Sequence, residues 1–328
     1  MIKKNFLLLC CFSAMANSIF GQLKWINVDS LYQPLPSSVH VYKTTDLLDG
    51  KPNIAYYVEA DLKDKKLDFT TDTTYQRRLI PTKFYEKNDQ PLIVVNTTFF
   101  SFTTNQNLNV LIKNDEVVAF NVEQFRKSKA DTNIKIPVYS SALGISKRRK
   151  ADIAWIKTDS SAKHAMAIQE PEVTRRNATR RTNKSSGRTT MLKSSHSFQL
   201  WKMRTAVGGG PVLLQNGEIK IFNNEEMKFA GKAINDKHPR TAIGYTKNNK
   251  LIILVIQGRF PGIAEGATLT QEAQLFKELG CWEALNLDGG GSSCMLVNGK
   301  ETIKVSDVTG QRPVPGVFII REKVNYNL

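Results

Sequence analysis

The sequence repeats itself across an offset of 100 residues, and this repeat limits the folds open to it. Ser141-Ala142-Leu143-Gly144-Ile145-Ser146-Lys147 aligns with Thr241-Ala242-Ile243-Gly244-Tyr245-Thr246-Lys247. Each copy then runs through polar residues into an apolar stretch, Ile153-Ala154-Trp155-Ile156 and Ile253-Leu254-Val255-Ile256. Two apolar, β-branched stretches split by a polar turn predict a β-hairpin in each copy.

A second likeness joins three segments, Val110 to Val117, Val212 to Ile219 and Met295 to Glu301. Asn216-Gly217 and Asn298-Gly299 suit two-residue hairpin turns, whose central residues both need positive φ. An unusual loop precedes each segment: Asn96-Thr97-Thr98-Phe99-Phe100, Gly208-Gly209-Gly210-Pro211 and Asp288-Gly289-Gly290-Gly291-Ser292. The expected fold is therefore α+β: a β-rich mixed sheet built from repeated strand–Gly loop–hairpin units, with few helices. The three loops are placed to converge on one cleft.

Other segments fit this plan. Val39 to Tyr42 and Ile54 to Glu59 alternate as strands do, with Pro34, Pro36, Gly50 and Pro52 between. Pro91 to Val95 is continuously apolar, as in a strand buried on both faces. The best helix runs from Thr270, read as its N-cap, to Leu279, with Gly280 as its stop. A weaker helix over Thr74 to Tyr85 is interrupted by Pro81.

Residues 1–21 read as a secretory signal peptide. Lys3 and Lys4 precede the apolar run Phe6 to Phe12, and Gly21 offers a small residue for cleavage. A lipoprotein anchor is less favoured, because Leu9 stands before Cys10 where a small residue is expected. Export to the periplasm or the outside follows, with no later run long enough for a transmembrane segment. Residues 22–90 form an N-terminal β-rich segment. Residues 91–328 form the main domain, with a basic insertion at about 173–205. Cys281 and Cys294 are either bridged, as export permits, or two small buried thiols. No Cys/His cluster has metal-ligand spacing, and no cofactor motif occurs.

The formal net charge is +16. It is local: Arg126 to Arg204 holds 19 Lys and Arg against 5 Asp and Glu. Arg175-Arg176 and Arg180-Arg181 lie in a segment that reads chiefly as a solvated loop, or as a flap for an anionic glycan. No aromatic residues lie between them for base stacking, so nucleic acid is not an expected partner.

Chemistry points to the glycine loops. Three consecutive glycines suit a backbone that approaches a ligand closely or aims N–H groups at an anion. Asp288, at a strand end, suits a base, nucleophile or metal ligand; nothing nearby demands a metal. In His238-Pro239-Arg240-Thr241, the planar fork of Arg240 suits a phosphate. Gln257-Gly258-Arg259 follows the next strand and brings a second arginine to the same sheet end.

These motifs in order resemble the phosphodiester glycosidase family: Gly209-Gly210-Pro211, His238 to Ala242, Gly258-Arg259, Gly266 to Leu269, Leu279 to Cys281, Ala284 to Ser292 and Arg312 to Val314. The match is strong from about 206 to 320 and weaker from about 92 to 156. The resemblance implies cleavage of N-acetylglucosamine from an α-linked phosphodiester, with a phosphorylated glycan or sugar phosphodiester as partner. It puts Asp288, Arg240, Asn96, Asp307 and Arg312 on positions that line the cleft. Glycosyl transfer to water typically needs two carboxylates, so Asp288 and Asp307 are the leading pair and Glu265 a weaker third. Asn96, Gly209, Gly210, His238, Arg240, Arg259, Gly289, Gly290, Gly291, Ser292 and Arg312 are the expected substrate contacts. The alternative is a non-catalytic glycan-binding or surface-assembly protein on the same scaffold. Three positions depart from the family's pattern. Asn96-Thr97-Thr98 stands for Asn-Gly-Gly, Gln257-Gly258-Arg259 for Asp-Gly-Arg, and Gln311-Arg312 for Glu-Arg.

Overall fold

A computed structural model describes residues 22–122, 124–127, 135–171 and 197–323. The expected signal peptide and most of the basic insertion lie outside the described residues. The fold is strand-rich with few helices, as expected, and every strand pairing among the described residues is antiparallel.

Three large sheets form the body. The eight-stranded sheet runs in the order Ile26–Asn27, Val39–Thr44, Ala55–Asp61, Lys250–Ile256, Arg240–Thr246, Cys281–Asn286, Val212–Gln215 and Glu218–Ile219. The seven-stranded sheet runs Gln199–Trp201, Ala165–Ile168, Ala151–Lys157, Ser140–Ile145, Thr205–Gly208, Leu111–Lys113 and Glu116–Ala119. A five-stranded sheet joins Lys300–Glu301, Met295–Val297, Ile93–Asn96, Gly316–Glu322 and Leu67–Thr73.

Both predicted hairpins are present and occupy matching places. Ser140–Ile145 pairs with Ala151–Lys157 in the seven-stranded sheet, and Arg240–Thr246 with Lys250–Ile256 in the eight-stranded one. On its other edge the first strand of each hairpin pairs with a strand that ends in a glycine loop. Ala142 lies opposite Gly208, and Ala242 opposite Asn286. The ladders continue alike: Gly209 N donates to Ser141 O at 3.0 Å, and Leu287 N to Thr241 O at 2.8 Å. In this register Gly210 corresponds to Asp288. The two hairpin turns also touch, with Lys150 Nζ 2.8 Å from Asn249 Oδ1.

The strand period of two decides what each face meets. Leu143, Ile145, Ile153 and Trp155 of the first hairpin share one core cluster with Ile243, Ile253 and Val255 of the second. Ile93, Val95, Phe318 and Ile320 of the five-stranded sheet close that core. Full burial of such side chains stabilises by about 1.5–3 kcal/mol each. The opposite face of the eight-stranded sheet is covered by the helix Leu269–Glu278, through Leu269, Ala273, Leu275 and Phe276. The small-turn expectation also holds. Asn216 and Gly217 have φ of 57° and 78°, and Asn298 and Gly299 have 46° and 77°. Asn114 and Asp115 repeat the geometry at 51° and 72°, without a glycine.

Two details depart from the sequence reading, and one open choice is decided. The long helix is capped by Thr268, not Thr270: the Thr268 side chain accepts from Gln271 N while the Gln271 side chain accepts from Thr268 N. This reciprocal pair satisfies two N–H groups that the first turn leaves free. Pro81 starts the helix Pro81–Lys87 instead of interrupting one, because the first helical position needs no N–H donor. Cys281 and Cys294 are the two small buried thiols of the second alternative, with no bridge between them. Among the described residues no helix is long and apolar enough to cross a membrane.

Candidate active site

The three special loops leave neighbouring strand ends and are bonded to one another. Asp288 N donates to Thr97 O at 2.8 Å. Asn96, fully buried at the end of Ile93–Asn96, donates from Nδ2 to Asp288 O at 2.6 Å. Its Oδ1 accepts from Thr241 Oγ1 at 3.0 Å and Cys294 N at 3.1 Å. The glycine loop joins from the other side: Gly210 N donates to Asn286 O at 2.8 Å, and Asn286 Nδ2 to Gly210 O at 2.7 Å. A Cβ at Gly209 would strike Asn286 O, so only glycine allows this approach.

Asp288 is the centre of the cluster. Burial pushes its carboxyl up to about 7, against smaller opposing effects from the Ser292 side chain, the Arg312 charge and the Gly289 backbone. Arg312 donates from Nε to Asp307 Oδ2 at 2.6 Å and lies 3.5 Å from Ser292 Oγ through Nη1. A Cβ at Gly291 would collide with its guanidinium, and its plane stands 5.5 Å from the Phe102 ring centre. Asp307 is held below the usual carboxylate range by the Thr309 backbone N–H and then by Arg312. Arg259, itself at φ 66°, reaches Gly290: its Nη2 lies 2.9 Å from where a Cβ there would sit. Ser306 Oγ lies 3.4 Å from Gly290 O. The structure thus gathers Asp288, Ser292, Arg312, Asp307 and Arg259 around Gly289 to Gly291.

His238 and Arg240 sit deeper. Arg240 faces the helix side of its sheet, with Ala242, and is 3% exposed. Its Nε donates to Ala267 O at 2.8 Å and Nη2 to Asp236 O at 3.0 Å. Opposite it Glu272 is buried with both carboxyl oxygens lacking a hydrogen-bond partner, and burial pushes its pKa up to about 8. Arg240 therefore packs beneath the loop, with Gly289 against its backbone. Burial, then the charges of Arg240 and Arg259, keep the His238 imidazole below its usual range. Glu265 stands 3.8 Å from Lys237 Nζ. Gln257 Oε1 accepts from Lys304 N at 2.9 Å.

Sequence reasoning passed over one acid here. Glu226 is 1% exposed and accepts from Val212 N at 2.8 Å and Ser141 Oγ at 2.7 Å. Burial raises its pKa. A Cβ at Gly210 would run into its Oε2, so the glycine makes room for this carboxyl. In sequence Glu226 sits in a polar stretch with no periodicity, and only the bare Gly210 hinted at a neighbour needing the space. Ser141 and Thr241, equivalent in the repeat, each bond a buried polar group of the cluster, Glu226 and Asn96. Thr97 Oγ1, Asn286 Oδ1 and Ser293 Oγ are buried there without a protein partner. Among the described residues no group of three or more His, Cys, Asp or Glu could hold a metal ion.

The sequence matches the phosphodiester glycosidase family over residues 89–321, and the chain belongs to that family. It is 42% identical over 74 residues to the SPbeta prophage-derived uncharacterized protein YomE of Bacillus subtilis, covering 23% of this chain and 11% of that protein. It is 30% identical over 95 residues to mouse N-acetylglucosamine-1-phosphodiester alpha-N-acetylglucosaminidase, covering 26% of this chain and 18% of the relative. The zebrafish enzyme of the same name, solved as a catalytic domain auto-inhibited by its pro-peptide, superposes with a TM-score of 0.54 at 19% identity. That superposition covers 89% of this chain and 85% of the other.

Proposed function

We propose that the chain is an exported hydrolase that cleaves an N-acetylglucosamine-like sugar from a phosphodiester-linked glycan. One observation carries the reading: Asp288, a carboxyl that burial pushes up to about 7, lies among glycine backbone and arginines where the motif loops meet. A carboxyl poised near neutrality can give or take a proton at working pH. In this reading water adds to the anomeric carbon, and the bond from that carbon to the phosphoryl oxygen breaks. The products are the free sugar and a phosphomonoester. Asp288 handles the proton, and Asp307 acts through Arg312, which it orients. The leaving phosphate is already acidic, so stabilising its charge matters more than protonating it.

The test is release of sugar from an N-acetylglucosamine 1-phosphodiester by the wild type and by Asp288→Asn. We expect turnover in the wild type and a loss of at least about 10³-fold in the variant, with unchanged circular dichroism. No turnover across a panel of sugar phosphodiesters, with glycan binding retained, would favour the non-catalytic reading.

A further inference from the structure

The Gly209-Gly210 side of the cluster carries a cation, Lys228, beside the buried carboxyl of Glu226. Met227 separates Glu226 from Lys228 and takes φ 50° and ψ 38°, the left-handed region that a residue with a side chain rarely enters. Met227 itself is 39% exposed, so its own packing does not call for that turn. What the turn does is aim its neighbours. Glu226 goes inward to Val212 N and Ser141 Oγ. Lys228 runs along Gly210, its Cε 2.5 Å from where a Cβ would sit. Its Nζ ends 5.0 Å from the ring centre of Phe99 and 3.5 Å from Ser140 Oγ. Backbone held in an uncommon region next to a cleft is a reason to look for a function.

The other cations of the cluster are placed differently. Arg312 is paired with Asp307, Arg240 is buried on two carbonyls, and Arg259, also without a carboxylate partner among the described residues, lies over Gly290 on the opposite loop. Among the described residues no carboxylate lies within ion-pair distance of Lys228, although the Glu226 charge partly offsets the burial that pulls its pKa down to about 8. The nearest acid, Glu226, already accepts two hydrogen bonds. Phe99 belongs to the first motif loop, is partly exposed, and is steadied edge-on by Phe229 at 6.0 Å. An ammonium lying over such a ring keeps its charge available to an anion on its open side.

We propose that Lys228 binds the phosphoryl charge of the substrate on the Gly209-Gly210 side of the cleft, with Phe99 as the platform for its side chain. This rests on the reading of the site as one for a sugar phosphodiester. The experiment is calorimetric titration of the full chain with N-acetylglucosamine 1-phosphate and, separately, with the neutral methyl α-N-acetylglucosaminide. Lys228→Met should weaken binding of the phosphate by about tenfold or more and leave the neutral sugar within about twofold. Lys228→Arg should restore most of the phosphate affinity, and its melting curve checks the fold independently of Lys228→Met. Equal phosphate affinity in wild type and Lys228→Met would overturn the assignment, as would an equal loss for both ligands. The hydrolase reading fails separately. Phosphate binding through Lys228 without any hydrolysis supports the assignment while sinking that reading. Hydrolysis with an unchanged KM in Lys228→Met overturns the assignment while sparing it.

Discussion

The two hairpin units share a register and differ at the position that matters. In the second unit the residue opposite Arg240 is Asp288, an acid carried by the strand end itself. In the first unit the corresponding residue is Gly210, and the acid there comes from elsewhere, as Glu226 fills the space a side chain would have taken. Asp288 keeps part of its surface exposed and is pushed up to about 7, whereas Glu226 is sealed at 1% exposure. The same scaffold thus makes one reactive end and one braced end. Both carboxyls accept hydrogen bonds, Asp288 from Ser292 and Gly289 and Glu226 from Ser141 and Val212, so what separates them is access from the cleft.

The sharpest way to break this contrast is to exchange the consequences. Asp288→Asn should abolish turnover with little change in fold, while Glu226→Gln should keep turnover within about tenfold. Equal losses in the two variants, read by sugar release, would show that the braced end is not merely braced. Next in size is Gly210→Ala. The position has φ 120°, and the added Cβ meets Glu226 Oε2. A few kcal/mol of destabilisation, about 2–4, is expected by chemical denaturation. A cost under about 1 kcal/mol would mean that the loop yields easily and that Glu226 does not fix it.

The pH dependence of Asp288 sharpens the comparison from the other side. Its folded pKa of about 7 exceeds the ordinary 3.8. For an acid raised on folding, stability is full below about 3.8, declines as pH rises, and is lost above about 7. Asp288→Asn carries no such loss, so its melting temperature should gain on the wild type between about pH 4 and 8. Arg312→Ala removes a charge that favours the ionised form and should move the pH limb of kcat/KM upward from about 7. A limb that stays put would mean that Asp288 is not the titrating group.

How much of this was legible depends on how local the signal was. The repeat was readable because a hairpin needs only its own two strands and turn. Ser141 to Lys147 and Thr241 to Lys247 therefore announced their partners. The Asn-Gly turns were readable for the same reason, since positive φ at two successive residues is a local demand. The three loops were found together because each precedes a hairpin, and Asn96, Gly209 and Asp288 do meet. Arg240 is different. Its motif suggested a phosphate fork, yet strand alternation puts it on the Ala242 side with Glu272, a partner 32 positions on that sequence spacing does not point to. Glu226 and Lys228 were hidden more completely. Their roles depend on a left-handed Met227 and a missing Cβ at Gly210, and neither leaves a periodic trace. The cap at Thr268 was missed because Thr270 is the same residue type two positions on, and only the Gln271 side chain chooses between them.

The smallest expected effects test the pseudo-symmetry itself. Ser141→Ala leaves a buried Glu226 oxygen without its donor and should cost about 1–3 kcal/mol. Thr241→Val leaves Asn96 Oδ1 still accepting from Cys294 N, so it should cost less, about 1 kcal/mol. At the far end of the hairpins, Lys150 meets Asn249 at an exposed contact of 2.8 Å. Lys150→Met should change stability by less than about 0.5 kcal/mol, because an exposed long side chain gains little from one polar contact. The order Ser141, Thr241, Lys150 follows how far each bond lies from solvent and whether its partner keeps another. Denaturation of the three variants in one buffer measures it. A Lys150 variant that cost as much as Ser141→Ala would show the two turns acting as a clasp between the sheets, with the units held together at the turns and not through the shared core of Leu143, Trp155, Ile243 and Val255.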